Sequence, residues 1–133
     1  GPRQDPESQY AAVIPLFITR LARGEPPVIF GDGEQTRDFT FVGDTVEANI
    51  LAAKSNATGV FNIGTNKKIT INRLASLIIG LMGINLQPVH EPERTGDIKH
   101  SLADISRAEI FGYKPKWGLE EGLKETVERL RQK

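Results

Sequence analysis

The chain has 133 residues, and its 17 Lys and Arg balance 17 Asp and Glu, so no net field draws it towards nucleic acid or an anionic membrane. It contains no cysteine, which excludes disulfides and thiolate metal sites and is compatible with a reducing cytoplasm, the expected location. No apolar run approaches the roughly 20 residues that span a bilayer, and the length fits one domain, expected to occupy residues 1–133.

The first eight residues are turn-like, with Pro2 and Pro6. The sole methionine is Met82 and the chain opens at GPRQDP, which reads equally as the scar of a cleaved tag or as the middle of a longer protein. A helix is expected through YAAVIPLFITRLARG, where Ile14, Phe17, Ile18 and Leu21 form one apolar stripe. Pro15 is tolerable only in the first turn, where its missing N–H breaks no helical bond, and Gly24 is a plausible stop. PVIF and DFTFV are expected as short strands flanking the turn GDGEQTRDF. Glycine in that turn supplies positive φ, but nothing about a turn requires Arg37. Two readings stand: a charged rim on a hairpin, or an arginine aimed at an anionic ligand.

In GDTVEANILAAK, Asp44 and Glu47 have capping-box spacing, and Val46, Ile50 and Ala53 share a helix face. GVFNIGT, bounded by glycines, is expected as a buried, parallel strand. Thr70 is placed to cap a helix carrying Leu74, Leu77, Ile78 and Leu81, which Gly83 closes. LQPVHEP is extended, its prolines suiting a sheet edge. Asp104 is expected to cap a short helix ending at Gly112. A last helix, from about Leu119, aligns Leu119, Leu123, Val127 and Leu130. Alternating strands and helices make the fold class α/β.

No G-x-S-x-G elbow or cysteine offers a nucleophile, and no spacing singles out a carboxylate pair. His90 and His100 lack a helical i, i+4 spacing and are not read as zinc ligands, so no metal is expected. Neither glycine-rich phosphate motif is present. What remains is arginine-centred: Arg37 beside a glycine corner, and Arg94 in ERTGDIKHS. A guanidinium presents a planar fork suited to phosphate oxygens, and two such loops could clamp a diphosphate.

GPRQDP, the run from YAAVIPLF to GDGEQTRDFTFV, VFNIGT, RTGDIKHSLADISRA and GYKPKWGLEEGLKETV occur in this order and cover nearly the whole chain. Together they resemble the C-terminal part of NAD-dependent nucleotide-sugar epimerases and dehydratases, the extended short-chain dehydrogenases. The likeness is greatest to 4-epimerases of UDP-glucose and UDP-N-acetylglucosamine. The resemblance implies the substrate-binding portion of a Rossmann-type, homodimeric parent, with a UDP-sugar as its ligand and no nucleic acid or membrane partner. It implies that Arg37 and Arg94 hold the diphosphate, that Val28 and Phe30 lie along the uracil, and that Ala12 and Val13 meet the sugar-phosphate side. Asp97 matches the acid near the ribose. Ser101 falls beside the sugar's C2 substituent, where a small hydroxyl leaves room for an N-acetyl group and a tyrosine would fill it. The competing readings are ordinary core for Val28 and Phe30, a local turn for Ser101, and helix capping for Asp44 and Asp104, which is preferred for those two.

The family's glycine-rich NAD fingerprint and its Tyr-x-x-x-Lys pair have no match here. The parent would use NAD, whereas this chain alone is expected to bind none and to be inactive, and no catalytic residue is assigned. Alternatives are a non-catalytic nucleotide-sugar-binding module or remnant, and the same part of a 4,6-dehydratase or decarboxylase. The resemblance also implies that GVFNIG adds to the sheet of the NAD-binding half. Without that sheet Val60, Phe61 and Ile63 are expected to keep apolar surface in water, and the chain is expected either to rearrange this strand or to self-associate through residues 59–64.

Overall fold

A computed structural model describes residues 1–5 and 12–131. In chain order the elements are α1 (Val13–Ala22), β1 (Val28–Phe30), β2 (Thr36–Arg37), α2 (Val42–Ala53), β3 (Ile69–Thr70), α3 (Ile71–Met82), β4 (Val89–Glu91), a 3-10 helix (Ser106–Phe111) and α4 (Leu119–Arg131). Tyr10 and Ala11, the start of the first expected helix, lie outside the described residues. Pro15 sits in the first turn of α1, where the geometry tolerates it. The stripe forms as expected: Phe17, Ile18 and Leu21 are buried and Ile14 packs beside them.

Helices α1, α3 and α4 enclose the larger core. Leu74 and Ile78 of α3 and Leu123 and Val127 of α4 meet the α1 stripe and Ile29 of β1. Thr70 caps α3, its side chain accepting from Arg73 N at 3.1 Å, and Gly83 ends the helix at φ 65°. A smaller cluster gathers Ala48, Ile105, Ala108, Phe111 and Tyr113. The Tyr113 hydroxyl donates to Gly64 O at 2.8 Å. Burial, reinforced by the charges of Asp44 and Asp38, pushes that phenol above its ordinary value of 10.0.

The strands depart from expectation. β1 pairs in parallel with β4, register Val28↔Val89 to Phe30↔Glu91, whereas β2 pairs antiparallel with β3. The turn at residues 31–35 therefore joins two different sheets and closes no hairpin. DFTFV is not a strand: the extended residues are Thr36 and Arg37, and α2 already begins at Val42. Residues 59–64 join no ladder, since no strand is beside them to complete one. Phe61 and Ile63 nevertheless pack into the smaller cluster, Phe61 meeting Phe111 edge-on at 5.1 Å. Only Val60, 81% exposed, keeps its surface in water.

Asp44 is not a cap either. Phe41 holds the N-cap position of α2, and the buried Asp44 carboxylate accepts from the backbone N–H groups of Lys116 and Trp117 at 2.9 and 3.3 Å. The face of α2 bearing Val46, Ile50 and Ala53 is exposed, and Ala48 points inward instead. Asp104 does not hold the cap position either: Ile105 is the N-cap of the short helix, and Asp104, one residue earlier, accepts from Ser106 N at 3.0 Å in a local turn. The Ser106 backbone N–H and the Ser106 hydroxyl together hold the Asp104 carboxyl below its usual range. Among the described residues no helix is long and apolar enough to cross a membrane, and no cluster of His, Asp and Glu could hold a metal ion.

Candidate functional site

A strand alternates its side chains, so the burial of Ile29 in the core turns Val28 and Phe30 to the opposite face of β1. That face forms one wall of an open cavity of about 560 Å³, also lined by Val13, Arg37, Arg94 and Asp97. Six of the eight expected residues thus converge. Ala12 precedes α1 and is exposed, and Ser101 is exposed with its N–H bonded to Thr36 O; neither lines the cavity.

Backbone constraints bring the two arginines together. Gly31, at φ 78°, and Gly33, at φ 76°, turn the chain after β1, and Gln35 Nε2 reaches back to Phe30 O at 2.7 Å. Thr36 then pairs on both sides, with Thr70 of β3 and with His100, which draws the segment after Arg94 alongside β2. Thr36 Oγ1 and His100 Nδ1 lie 3.0 Å apart. Pro92 follows β4 directly, and the chain folds back through the Thr95–Gly96 turn, presenting Arg94 above β1.

The two guanidinium groups are held differently. Arg37 Nη2 donates to Asp97 Oδ1 at 2.6 Å, and Nη1 donates to Thr36 O at 2.8 Å. Both charged partners are part-exposed, and solvent screening keeps such a pair to about 1 kcal/mol or less. Its effect is chiefly to aim the fork. Arg94 instead lies over the Phe30 ring, its Cζ 3.7 Å from the centroid. The site therefore offers two cations, the carboxylate of Asp97 paired with Arg37, and an apolar wall. That combination suits an anionic ligand with a planar apolar end.

Gln35 and Asp38 also line the cavity, and the expected set omits both. Asp38 accepts from Thr65 N, Thr65 Oγ1 and Asn66 N, tying the site to the turn after residues 59–64. Its placement one residue after Arg37 was the available signal, but its partners are far away in the sequence. The described residues do not fit a dinucleotide cofactor. The glycine turn after β1 leads into a strand rather than a helix, and the N-terminus of α3 that stands against it spends the Ile71 and Asn72 N–H groups on Gln35 O and Gly33 O.

The model of the NAD dependent epimerase/dehydratase family matches residues 1–64. The UDP-glucose 4-epimerase of Mycolicibacterium smegmatis is 40% identical over 135 aligned residues, covering 100% of this chain and 43% of that protein. A UDP-N-acetyl-alpha-D-glucosaminuronate decarboxylase of Bacillus cytotoxicus is 35% identical, over 99% of this chain and 43% of its own. Among solved structures, the UDP-N-acetylglucosamine 4-epimerase of Methanobrevibacter ruminantium M1, in complex with UDP-N-acetylmuramic acid, superposes with a TM-score of 0.95 at 49% identity. That match covers 99% of this chain and 43% of that one. The chain thus spans less than half the length of the proteins it resembles, and the α/β fold is that of the corresponding portion of these epimerases.

Proposed function

We propose, from the likeness to the NAD dependent epimerase/dehydratase family and to UDP-sugar 4-epimerases, that residues 1–133 form a nucleotide-sugar-binding unit of that family, which grips the UDP end of a UDP-hexose for 4-epimerisation. The observation that carries this reading is the convergence of Arg37 and Arg94 on one cavity walled by Val28 and Phe30. The forks take the diphosphate oxygens, the apolar wall takes the base, and Asp97, beside Arg37, is within the same cavity to accept from a ribose hydroxyl. Ser101 does not line the cavity; its role beside the sugar rests on the family resemblance, in which a small hydroxyl admits an N-acetyl group. On this reading, hydride chemistry with NAD belongs to the part of these relatives that the chain does not span. The decarboxylase likeness supports a second reading, in which the same grip serves a UDP-uronate.

Calorimetry of the 133-residue chain with UDP tests the grip. Arg37→Ala and Arg94→Ala should each weaken binding by about 1.5–3 kcal/mol, the worth of a hydrogen bond to a charged group. Lysine at either position should recover only part, because a point charge lacks the fork. Failure of the native chain to bind UDP, or unchanged affinity in both alanine variants, would refute the proposal.

A further inference from the structure

We infer that Phe30 is a positioning residue: its ring holds the Arg94 guanidinium in place for the phosphates, a role that the apolar-wall reading of Phe30 does not contain. The inference rests on the proposed grip and concerns how one half of it is built. The Arg94 Cζ stands 3.7 Å from the ring centroid, well inside the distance at which a cation feels the negative face of a ring. Among the described residues no hydrogen bond or ion pair reaches the Arg94 side chain, although its backbone carbonyl accepts from Asp97 N at 3.2 Å. Its side chain is exposed, and an exposed arginine otherwise samples many rotamers.

The two arginines show why the ring matters. Arg37 is aimed by hydrogen bonds, and each of them uses a donor that a phosphate could otherwise take. A ring face restrains the guanidinium through its flat surface and leaves the N–H edge untouched. Arg94 is therefore both fixed and fully available as a donor. The fold fixes this stack through the backbone: β1 and β4 set Phe30 beside Glu91, and Gly31 N donates to Glu91 O at 2.8 Å. Gln35 holds the Phe30 carbonyl from the other side. Arg94, three residues beyond Glu91, then comes back over the ring.

The test uses inorganic pyrophosphate as the probe alongside UDP, with Phe30→Leu, Phe30→Tyr and Arg94→Ala in the 133-residue chain. Phe30→Leu should weaken pyrophosphate about two- to fivefold, the range expected for an exposed cation–ring contact, and Phe30→Tyr should restore it. In the Arg94→Ala background Phe30→Leu should cost nothing further with pyrophosphate. An equal loss with and without Arg94, or no loss at all, overturns the inference while leaving the UDP grip standing. A second readout needs no ligand: the Arg94 Nε–Hε resonance, shifted upfield by the ring current, should move downfield in Phe30→Leu and stay in place in Phe30→Tyr. No difference between native and Phe30→Leu spectra overturns the stack even in a chain that proves unable to bind UDP.

Discussion

Gly33→Ala measures how far the glycine corner beside Arg37 is built by packing rather than by backbone conformation alone, because a second glycine supplies its control. Gly24 and Gly33 have nearly the same backbone, φ 72° and 76°, but different surroundings. A Cβ on Gly24 would meet nothing within 4 Å, whereas one on Gly33 would stand 2.0 Å from Asn72 Oδ1 and 2.4 Å from its Cγ. Alanine in the left-handed region costs about 1–2 kcal/mol, offset by about 0.4–1 kcal/mol from the stiffer unfolded chain. Gly24→Ala should therefore destabilise by about 1 kcal/mol. At Gly33 the Asn72 amide must also move, giving up bonds to Asp32 O at 2.9 Å and Glu34 Oε1 at 2.7 Å. At about 0.5–1.5 kcal/mol each, the total for Gly33→Ala becomes about 2–4 kcal/mol. Urea denaturation of both variants gives the difference, and Asn72→Ala supplies the cycle. With the obstacle removed, Gly33→Ala should fall back to the cost seen at Gly24. Equal costs at the two glycines, or no relief from Asn72→Ala, would refute the reasoning.

Tyr113 should make the fold sensitive to alkali. Its raised pKa leaves stability intact below pH 10.0 and removes it as pH rises through the folded-state value, so Tyr113→Phe should flatten a denaturation profile taken between pH 9 and 11.5. The same variant strands the buried Gly64 carbonyl and should cost about 1–3 kcal/mol at neutral pH; an unchanged alkaline slope would remove Tyr113 from the account. The unpaired segment 59–64 should drive self-association of this chain, since Val60 is 81% exposed beside open backbone groups. Light scattering over a dilution series should show mass above the monomer that Val60→Lys abolishes, and monomeric mass at every concentration would contradict it.

Much of the fold was legible because helices carry their instructions locally. The α1 stripe, the Thr70 cap and the Gly83 stop follow from spacing and φ alone, and each formed as read. The α2 error has an equally local origin. Periodicity says that Val46, Ile50 and Ala53 share a face but not which way that face turns; the decision rests with Ala48 and Asp44, whose partners lie at residues 105–117. Capping spacing at Asp44 misled for the same reason. A carboxylate can satisfy distant N–H groups as readily as those of its own helix.

PVIF formed a strand as read and LQPVHEP is extended, but which strands pair was not legible, because pairing is a long-range choice. Nothing within PVIF says that it will lie beside VHE instead of the residues just after its turn. That choice nevertheless builds the site: parallel pairing of β1 with β4 carries Arg94 back over Phe30, and the antiparallel pair with the His100 bridge carries Asp97 to Arg37. Residue type together with the family resemblance singled out both arginines, and the fold brings the two to one cavity. Their division of labour was not legible in type or spacing. One cation is steered by an anion that consumes part of its donor set, the other by a ring that consumes none. It follows that the two positions should respond differently to salt. Added salt weakens the Arg37–Asp97 attraction through screening, but it has less hold on the ring contact, where part of the attraction is dispersion between stacked planes.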